Sequence, residues 1–467
     1  MELTSAGLRI GDIVRIAMDH ESFTVTREVG DRVAAGAALA ERLAAQRPVY
    51  GRSTGVGANR SVPVQDPDGQ LARVLRSHAT SLGPPRAAVR VRAMVAVRIG
   101  QLAAGGSGLS RVAFDALLDM LNADTLPAVL ERGSIGTGDL SALATVGLSL
   151  LDHPAGPRVR PGDALALISS NAAAIGDAAL AIHRLEMLAR AAVPIASLTL
   201  RAVHGNVEPF GPAVERATPF PGARRVCIAM RQVLDDDGYA DPPARIQDPF
   251  GLRAMPQGHG ALLDALDRAA HVVQAMANAP SENPVFDEHT GVTHHGAFHA
   301  AYLAQALEGL LGALVQAAQL GLGRTTILAS PGLTGATAFL ADGTPGASGT
   351  MLVELVAASA LARLRSFAAA AAGTGTVTLS RGLEDDASFA SVVAVDALAA
   401  GDAYQDLLAA ELLTAARALT LTDRLPPWSQ LLSMRPGLAQ PEDRDLTADL
   451  QAASRVVPDL VHRLRSR

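Results

Sequence analysis

Three long stretches rich in alanine and leucine, residues 300–322, 351–372 and 388–418, constrain this chain more than anything else in it. Alanine, leucine and arginine are strong helix formers, and each stretch can run as one long helix. They are broken by Pro331-Gly332, by the glycines from Gly343 to Gly349, and by Arg381-Gly382. Long helices joined by loops of about ten residues predict a bundle. With 49% of residues apolar, 18% charged and only 3% aromatic, the chain can build a large core of closely packed helices. The most membrane-like stretch, Ala300 to Gly323, carries Gln305, Glu308, Gln316 and Gln319, so a buried core helix is expected there. A net charge of −6 without a basic stripe argues against nucleic acid as a partner. The single Cys227 rules out an internal disulfide framework and suits a reducing compartment. No basic and apolar leader opens the chain; a cytoplasmic protein with no membrane partner is expected.

Several short patterns stand out against this background. Arg132-Gly133-Ser134-Ile135-Gly136-Thr137-Gly138-Asp139 is a small-residue turn that leads into the apolar segment Leu140 to Leu151, with Asp139 placed to cap a helix. Pro48-Val49-Tyr50 enters Gly51-Arg52-Ser53-Thr54-Gly55-Val56-Gly57, a loop with three glycines and no lysine to make it a P-loop. Leu75-Arg76-Ser77-His78-Ala79 follows, and later Pro161-Gly162-Asp163 leads to Ile168-Ser169-Ser170-Asn171. The longest pattern is Gln247-Asp248-Pro249-Phe250-Gly251-Leu252-Arg253-Ala254-Met255-Pro256-Gln257. Asn278-Ala279-Pro280-Ser281-Glu282-Asn283-Pro284 comes before a crowd of acids and histidines, Asp287 to His299. Within it, His295 and His299 at i, i+4 could share a helix face and bind zinc, though no His-Glu-x-x-His pattern is present and no metal is expected. Leu383-Glu384-Asp385 closes the set. Taken singly, each has a structural reading. Tyr50 is a loop tyrosine and a poor base unless its pKa is lowered, and His78 is a helix histidine. Arg253 is an ion-pair partner, and Glu384 is an exposed glutamate at a helix start.

Taken in order, these patterns resemble the aromatic amino-acid ammonia-lyase family (histidine, phenylalanine and tyrosine lyases and aminomutases). The resemblance runs from about Leu3 to about Ala452. It implies a mainly α fold, with a central bundle of long helices and a smaller, loop-rich N-terminal α domain. A division at 1–190 and 191–467 is expected. The resemblance also implies a homotetramer whose active sites draw on three chains and take a small-molecule substrate. On the family's pattern Tyr50 is the general base on a mobile inner loop, and Glu384 is an acid/base or ammonium contact. His78 meets the polar end of an aromatic substrate, and Arg253 grips its carboxylate with a planar, two-pronged donor. Gln247, Phe250, Ser169 and Asn171 complete the candidate substrate contacts.

The family pattern reads Gly-Ser-Val-Gly-Ala-Ser-Gly-Asp-Leu, and its Ala-Ser-Gly cyclises into an electrophilic methylidene-imidazolone ring. Here Thr137 stands alone between Gly136 and Gly138, where the family has two residues. Ser169 and Ser170 stand where an asparagine and a glycine are usual, Phe250 replaces a tyrosine, and Ala297 replaces an asparagine. These departures all fall at or around the ring, so no cofactor is expected. Three readings follow. The first is a ring-less lyase- or cyclase-type enzyme of specialised metabolism, performing elimination, addition or cyclisation on a small carboxylated or polyketide-like metabolite. The second is a tyrosine or histidine ammonia-lyase with a ring made from Gly136-Thr137-Gly138. The third is a non-catalytic binding relative.

Overall fold

The computed structural model describes residues 1–426 and 440–464. Among them helices dominate, and the strands form three two-stranded pairs. The three alanine- and leucine-rich stretches become the helices Ala301–Leu328, Met351–Phe367 and Ala390–Leu421. Two further long helices, Ala172–Ala202 and Met255–Ala277, lie where the sequence offers helix breakers. Pro194 sits inside the first, and Pro256, Gly258 and Gly260 lie in the opening turns of the second. Gly260 has a packing reason: a Cβ there would lie 2.5 Å from the backbone nitrogen of Ala223.

The helix Ala301–Leu328 is buried on one face only. Leu303, Leu307, Leu310, Leu311 and Leu314 are buried, whereas Tyr302, Gln305, Gly309, Gly312, Gln316 and Gln319 form an exposed stripe at alternating steps of three and four. The expected core helix is therefore amphipathic in the single chain, and three of the polar residues that argued against a membrane span lie on its open side.

The chain divides into two compact units. One comprises Met1–His183, Ala269–Leu307 and Ala370–Leu398; the other comprises Arg184–Arg268, Glu308–Ala369 and Ala399–Arg467. The contiguous division at 190 differs from this beyond its first boundary, because the chain returns twice to the first unit. Those two returns carry Asn283 and Glu384.

In the first unit the helix Ala88–Ala103 is the centre of packing, and every residue from Val91 to Ala103 is buried. Gly100 stands there because a Cβ would come within 2.8 Å of the carbonyl of Ala277. Two arginines survive in this helix by being saturated with acceptors. Arg92 donates to the carbonyls of Ile16 and Leu121 and to Asp124. Arg98 donates to the carbonyls of Leu167 and Ala166 and lies 2.8 Å from Glu282. The helix Pro67–His78 packs on Leu140–Asp152, and the strands Val285–Asp287 and Gly291–Thr293 pair antiparallel. In the second unit a buried bidentate pair, Arg324–Glu411 at 2.6 and 2.9 Å, ties two long helices together and also holds the carbonyl of Gly251.

Candidate active site

The chemistry-bearing residues of the first unit converge on one open cavity of about 770 Å³. The glycine loop supplies Tyr50 and residues 55–59. The helix Pro67–His78 presents Gln70, Arg73, Val74, Ser77 and His78 from one face at helical spacing. The turn before Leu140 contributes Thr137 and Gly138, and Ser169, Asn283, Phe298, Ser380 and Glu384 complete the wall. Tyr50, His78, Thr137, Gly138, Ser169 and Glu384 thus line one cavity. Gly136 lies buried behind the wall.

Tyr50 is oriented by its own loop: its hydroxyl oxygen accepts the N–H of Gly57 at 2.7 Å. Burial pushes the phenol above its ordinary pKa and the negative charge of Glu384 adds to this, while the Gly57 bond pulls the other way. The lowered pKa that a tyrosine base requires is absent from this unit, and the phenol keeps its proton at neutral pH. His78 Nδ1 lies 2.8 Å from the carbonyl of Val74, an acceptor that assigns the proton to Nδ1 and leaves Nε2 as the free acceptor. Glu384 Oε1 accepts from Ser380 Oγ at 3.3 Å.

The turn 133–139 is held from several sides. Ser388 Oγ donates to the carbonyl of Gly136 at 2.9 Å, and Ser391 Oγ donates to that of Ser134 at 3.1 Å. Asn171 Oδ1 accepts the Gly138 N–H at 3.0 Å, while its amide donates to the carbonyl of Phe298. Asn171 is therefore a support of the turn. The positive φ of Gly136 and Gly138, 87° and 102°, explains why glycine flanks Thr137. Asp139 precedes the helix Leu140–Asp152 but makes no side-chain cap to it. Its buried carboxylate instead accepts from Ser134 Oγ at 2.7 Å and from the N–H of Ala174, in the first turn of the helix Ala172–Ala202, at 2.8 Å. Burial raises its pKa.

The histidine cluster separates. Residues 294–300 are not helical, so His295 and His299 share no helix face. His294 Nε2 accepts the Tyr50 N–H at 3.3 Å, His295 Nδ1 accepts that of Ala297, and His299 Nε2 lies 3.0 Å from Asp386. Among the described residues no group of three or more His, Cys, Asp or Glu is placed to hold a metal.

Gln247, Phe250 and Arg253 lie in the second unit, where they line a pocket of about 540 Å³ with Asn206 and Glu208. The Arg253 guanidinium stacks 4.1 Å over the Phe250 ring, and its buried Nε has no hydrogen-bond partner among the described residues.

The sequence pattern of the family described as aromatic amino acid lyase matches residues 8–156 and 154–435. This chain belongs to that family. The histidine ammonia-lyase of Myxococcus xanthus is 30% identical to this family member, covering 96% of this chain and 95% of that enzyme. The histidine ammonia-lyase of Deinococcus radiodurans is 32% identical over 86% and 84%. In structure, the ergothioneine-degrading enzyme ergothionase of Treponema denticola superposes with a TM-score of 0.90 at 22% identity, covering 98% of this chain and 99% of that one. The phenylalanine aminomutase of Pantoea agglomerans gives 0.89 at 24%, covering 98% of each. The mainly α lyase fold read from the ordered motifs is the fold of this family member.

The family's ring needs a serine between an alanine and a glycine. Between the two glycines pinned by Ser388 and Asn171 stands one residue, Thr137. The residues present do not fit the Ala-Ser-Gly ring.

Proposed function

We propose that this family member is an enzyme that works without the ring, by acid–base elimination, addition or cyclisation on a small carboxylated or polyketide-like metabolite. The observation that carries this reading is the cavity itself: Tyr50, His78 and Glu384, a proton-transfer and substrate-contact set, line it together with a loop that lacks Ala-Ser-Gly. Tyr50, kept neutral by burial, hands its proton to the substrate, and Glu384 takes one up. His78 Nε2 accepts a hydrogen bond from a polar group at the far end of the substrate. Arg253, with the Phe250 ring beneath it and Gln247 beside it, holds an anionic group, and it reaches the cavity of another subunit in a homotetramer. Exposed Tyr302, Leu352, Leu355 and Val356 are apolar surface that such an assembly would cover.

A second reading has one observation in its favour. Ser388 Oγ on the Gly136 carbonyl and Asn171 Oδ1 on the Gly138 N–H polarise the two groups that a ring from Gly136-Thr137-Gly138 would join. On that reading the protein is a histidine or tyrosine ammonia-lyase, in line with its histidine ammonia-lyase relatives. Intact-mass measurement separates the two. The ring-less reading expects the mass of the encoded chain. Loss of two waters with new near-ultraviolet absorbance, mapped to 136–138, would replace it with the second.

A further inference from the structure

The glycine loop that carries Tyr50 has the composition of a mobile segment, yet one side chain on it reaches three other parts of the first unit. Arg52 stands two residues beyond Tyr50, at a position where the family wording Tyr-Gly-Val-Asn-Thr-Gly has valine. Its Nη2 donates to the carbonyl of Gly108 at 2.6 Å. Its guanidinium carbon lies 4.9 Å from the centre of the Phe286 ring, on the strand Val285–Asp287. Gly162, just before the helix Asp163–Ile168, admits the guanidinium only because it has no side chain: a Cβ there would lie 2.4 Å from Nη1. Gly108 makes room in the same way, at 2.7 Å from Nη2.

We propose that Arg52 is a positioning residue that anchors the Tyr50 loop in its cavity-facing conformation before any substrate binds, so that the site is preformed. This rests on Tyr50 being a cavity residue, and it is independent of which reaction the cavity carries out. The physical argument is one of entropy. Gly51, Gly55 and Gly57 make the ordered loop costly, since glycine loses more backbone freedom on ordering than any other residue. Local ties are present: Ser53 Oγ accepts the Val49 N–H at 2.8 Å, and the carbonyl of Ser53 accepts that of Val64 at 2.9 Å. These join the loop only to its own neighbours. The Tyr50 N–H bond to His294 is longer, at 3.3 Å. Arg52 supplies a desolvated cation–π contact and a charge-assisted hydrogen bond to distant segments, and it does so from within the loop. The hydroxyl of Tyr50 then meets the Gly57 N–H with both ends of the loop held.

Hydrogen–deuterium exchange of the full-length protein without substrate tests this. In Arg52→Met, amides across 50–60, including Gly57, should exchange at least about tenfold faster than in the wild type. The helix Ala88–Ala103 and all of the second unit should be unchanged. Arg52→Lys, which keeps the charge and one donor, should fall between the two. Phe286→Leu removes the ring but leaves the hydrogen bond, and should loosen the same peptides by a smaller factor, which keeps the test open if Arg52→Met fails to fold. Unchanged loop exchange in these variants would overturn the anchor. So would acceleration spread evenly through the first unit, which would make Arg52 an ordinary fold contact. Because exchange is read without turnover, a failed reaction assignment leaves this result standing, and the reverse also holds.

Discussion

Replacing Tyr50 by phenylalanine removes one oxygen from the candidate site, and the structure sets the size of each consequence. The lost interaction is a single hydrogen bond, Gly57 N–H to the phenol oxygen at 2.7 Å. Gly57 is only partly buried, so water can take over the freed N–H. The stability cost should lie at the low end of about 0.5–1.5 kcal/mol, measured by urea titration. Turnover should fall roughly 10²–10⁴-fold, the usual worth of a positioned acid or base. The direction of proton transfer is set by ionisation. Burial first, and then the charge of Glu384, raise the phenol above its ordinary value of 10.0. The difference in phenolate absorbance between wild type and Tyr50→Phe should therefore appear only above about pH 10.

The linkage has a matching sign. A phenol with a raised folded pKa stabilises the fold below its ordinary value and loses that contribution as pH climbs through the raised one. Wild-type stability should thus decline relative to Tyr50→Phe only in that alkaline window. On a turned-over substrate, a Tyr50 acid gives a rate that is flat from neutral pH to about 9, whereas a Tyr50 base gives one rising about tenfold per pH unit. A phenolate appearing near neutrality, or such a rising rate, would refute the acid assignment. Full activity in Tyr50→Phe would remove Tyr50 from the chemistry altogether and leave its loop as part of the fold only.

In gel filtration with light scattering, the protein at micromolar concentration should be a tetramer; a stable monomer would contradict a site shared between chains. Arg253→Lys should raise KM before it lowers kcat, because a point charge reproduces neither the two-pronged contact nor the stacking on Phe250. Arg98→Met leaves the Glu282 carboxylate buried and unpaired, and should destabilise the fold by about 3–5 kcal/mol in denaturant titration, while Arg98→Met with Glu282→Leu should recover most of the loss.

What the sequence made legible was local. Motif order gave the fold, and the alanine- and leucine-rich stretches gave three of the long helices. Ala172–Ala202 and Met255–Ala277 were not among the stretches read as helices; Pro194 and the glycines after Met255 weaken the local helix signal, and tertiary packing overrides propensity there. Gln70, Arg73 and Ser77 were absent from the candidate site although the signal was present: Gln70 and Val74 lie eight and four residues before His78, and Arg73 and Ser77 border that row at steps of three and four from Gln70, so a helix that presents His78 to a cavity presents them too. Asn283 lies inside the motif Asn278 to Pro284 but has no chemistry of its own to mark it.

Asp139 illustrates a limit that no closer reading of the sequence removes. Its position before an apolar run predicts a side-chain cap on Leu140–Asp152, and the structure has none there. The carboxylate turns away because the helix Ala172–Ala202 brings the unsatisfied N–H of Ala174 beside it, and Ser134 completes its coordination. The same competition explains Asn171, which serves the Gly138 N–H although the family places its asparagine earlier in the chain. In both cases residue type predicts that a buried backbone donor will be satisfied, and only the fold decides which donor. The turn at Thr137 is consequently held by groups distant in sequence: Asn171 on one side, and Ser388 and Ser391, from a segment the chain adds after 370, on the other. The two glycines are thus fixed by groups outside the turn, and none of these bonds involves Thr137 itself.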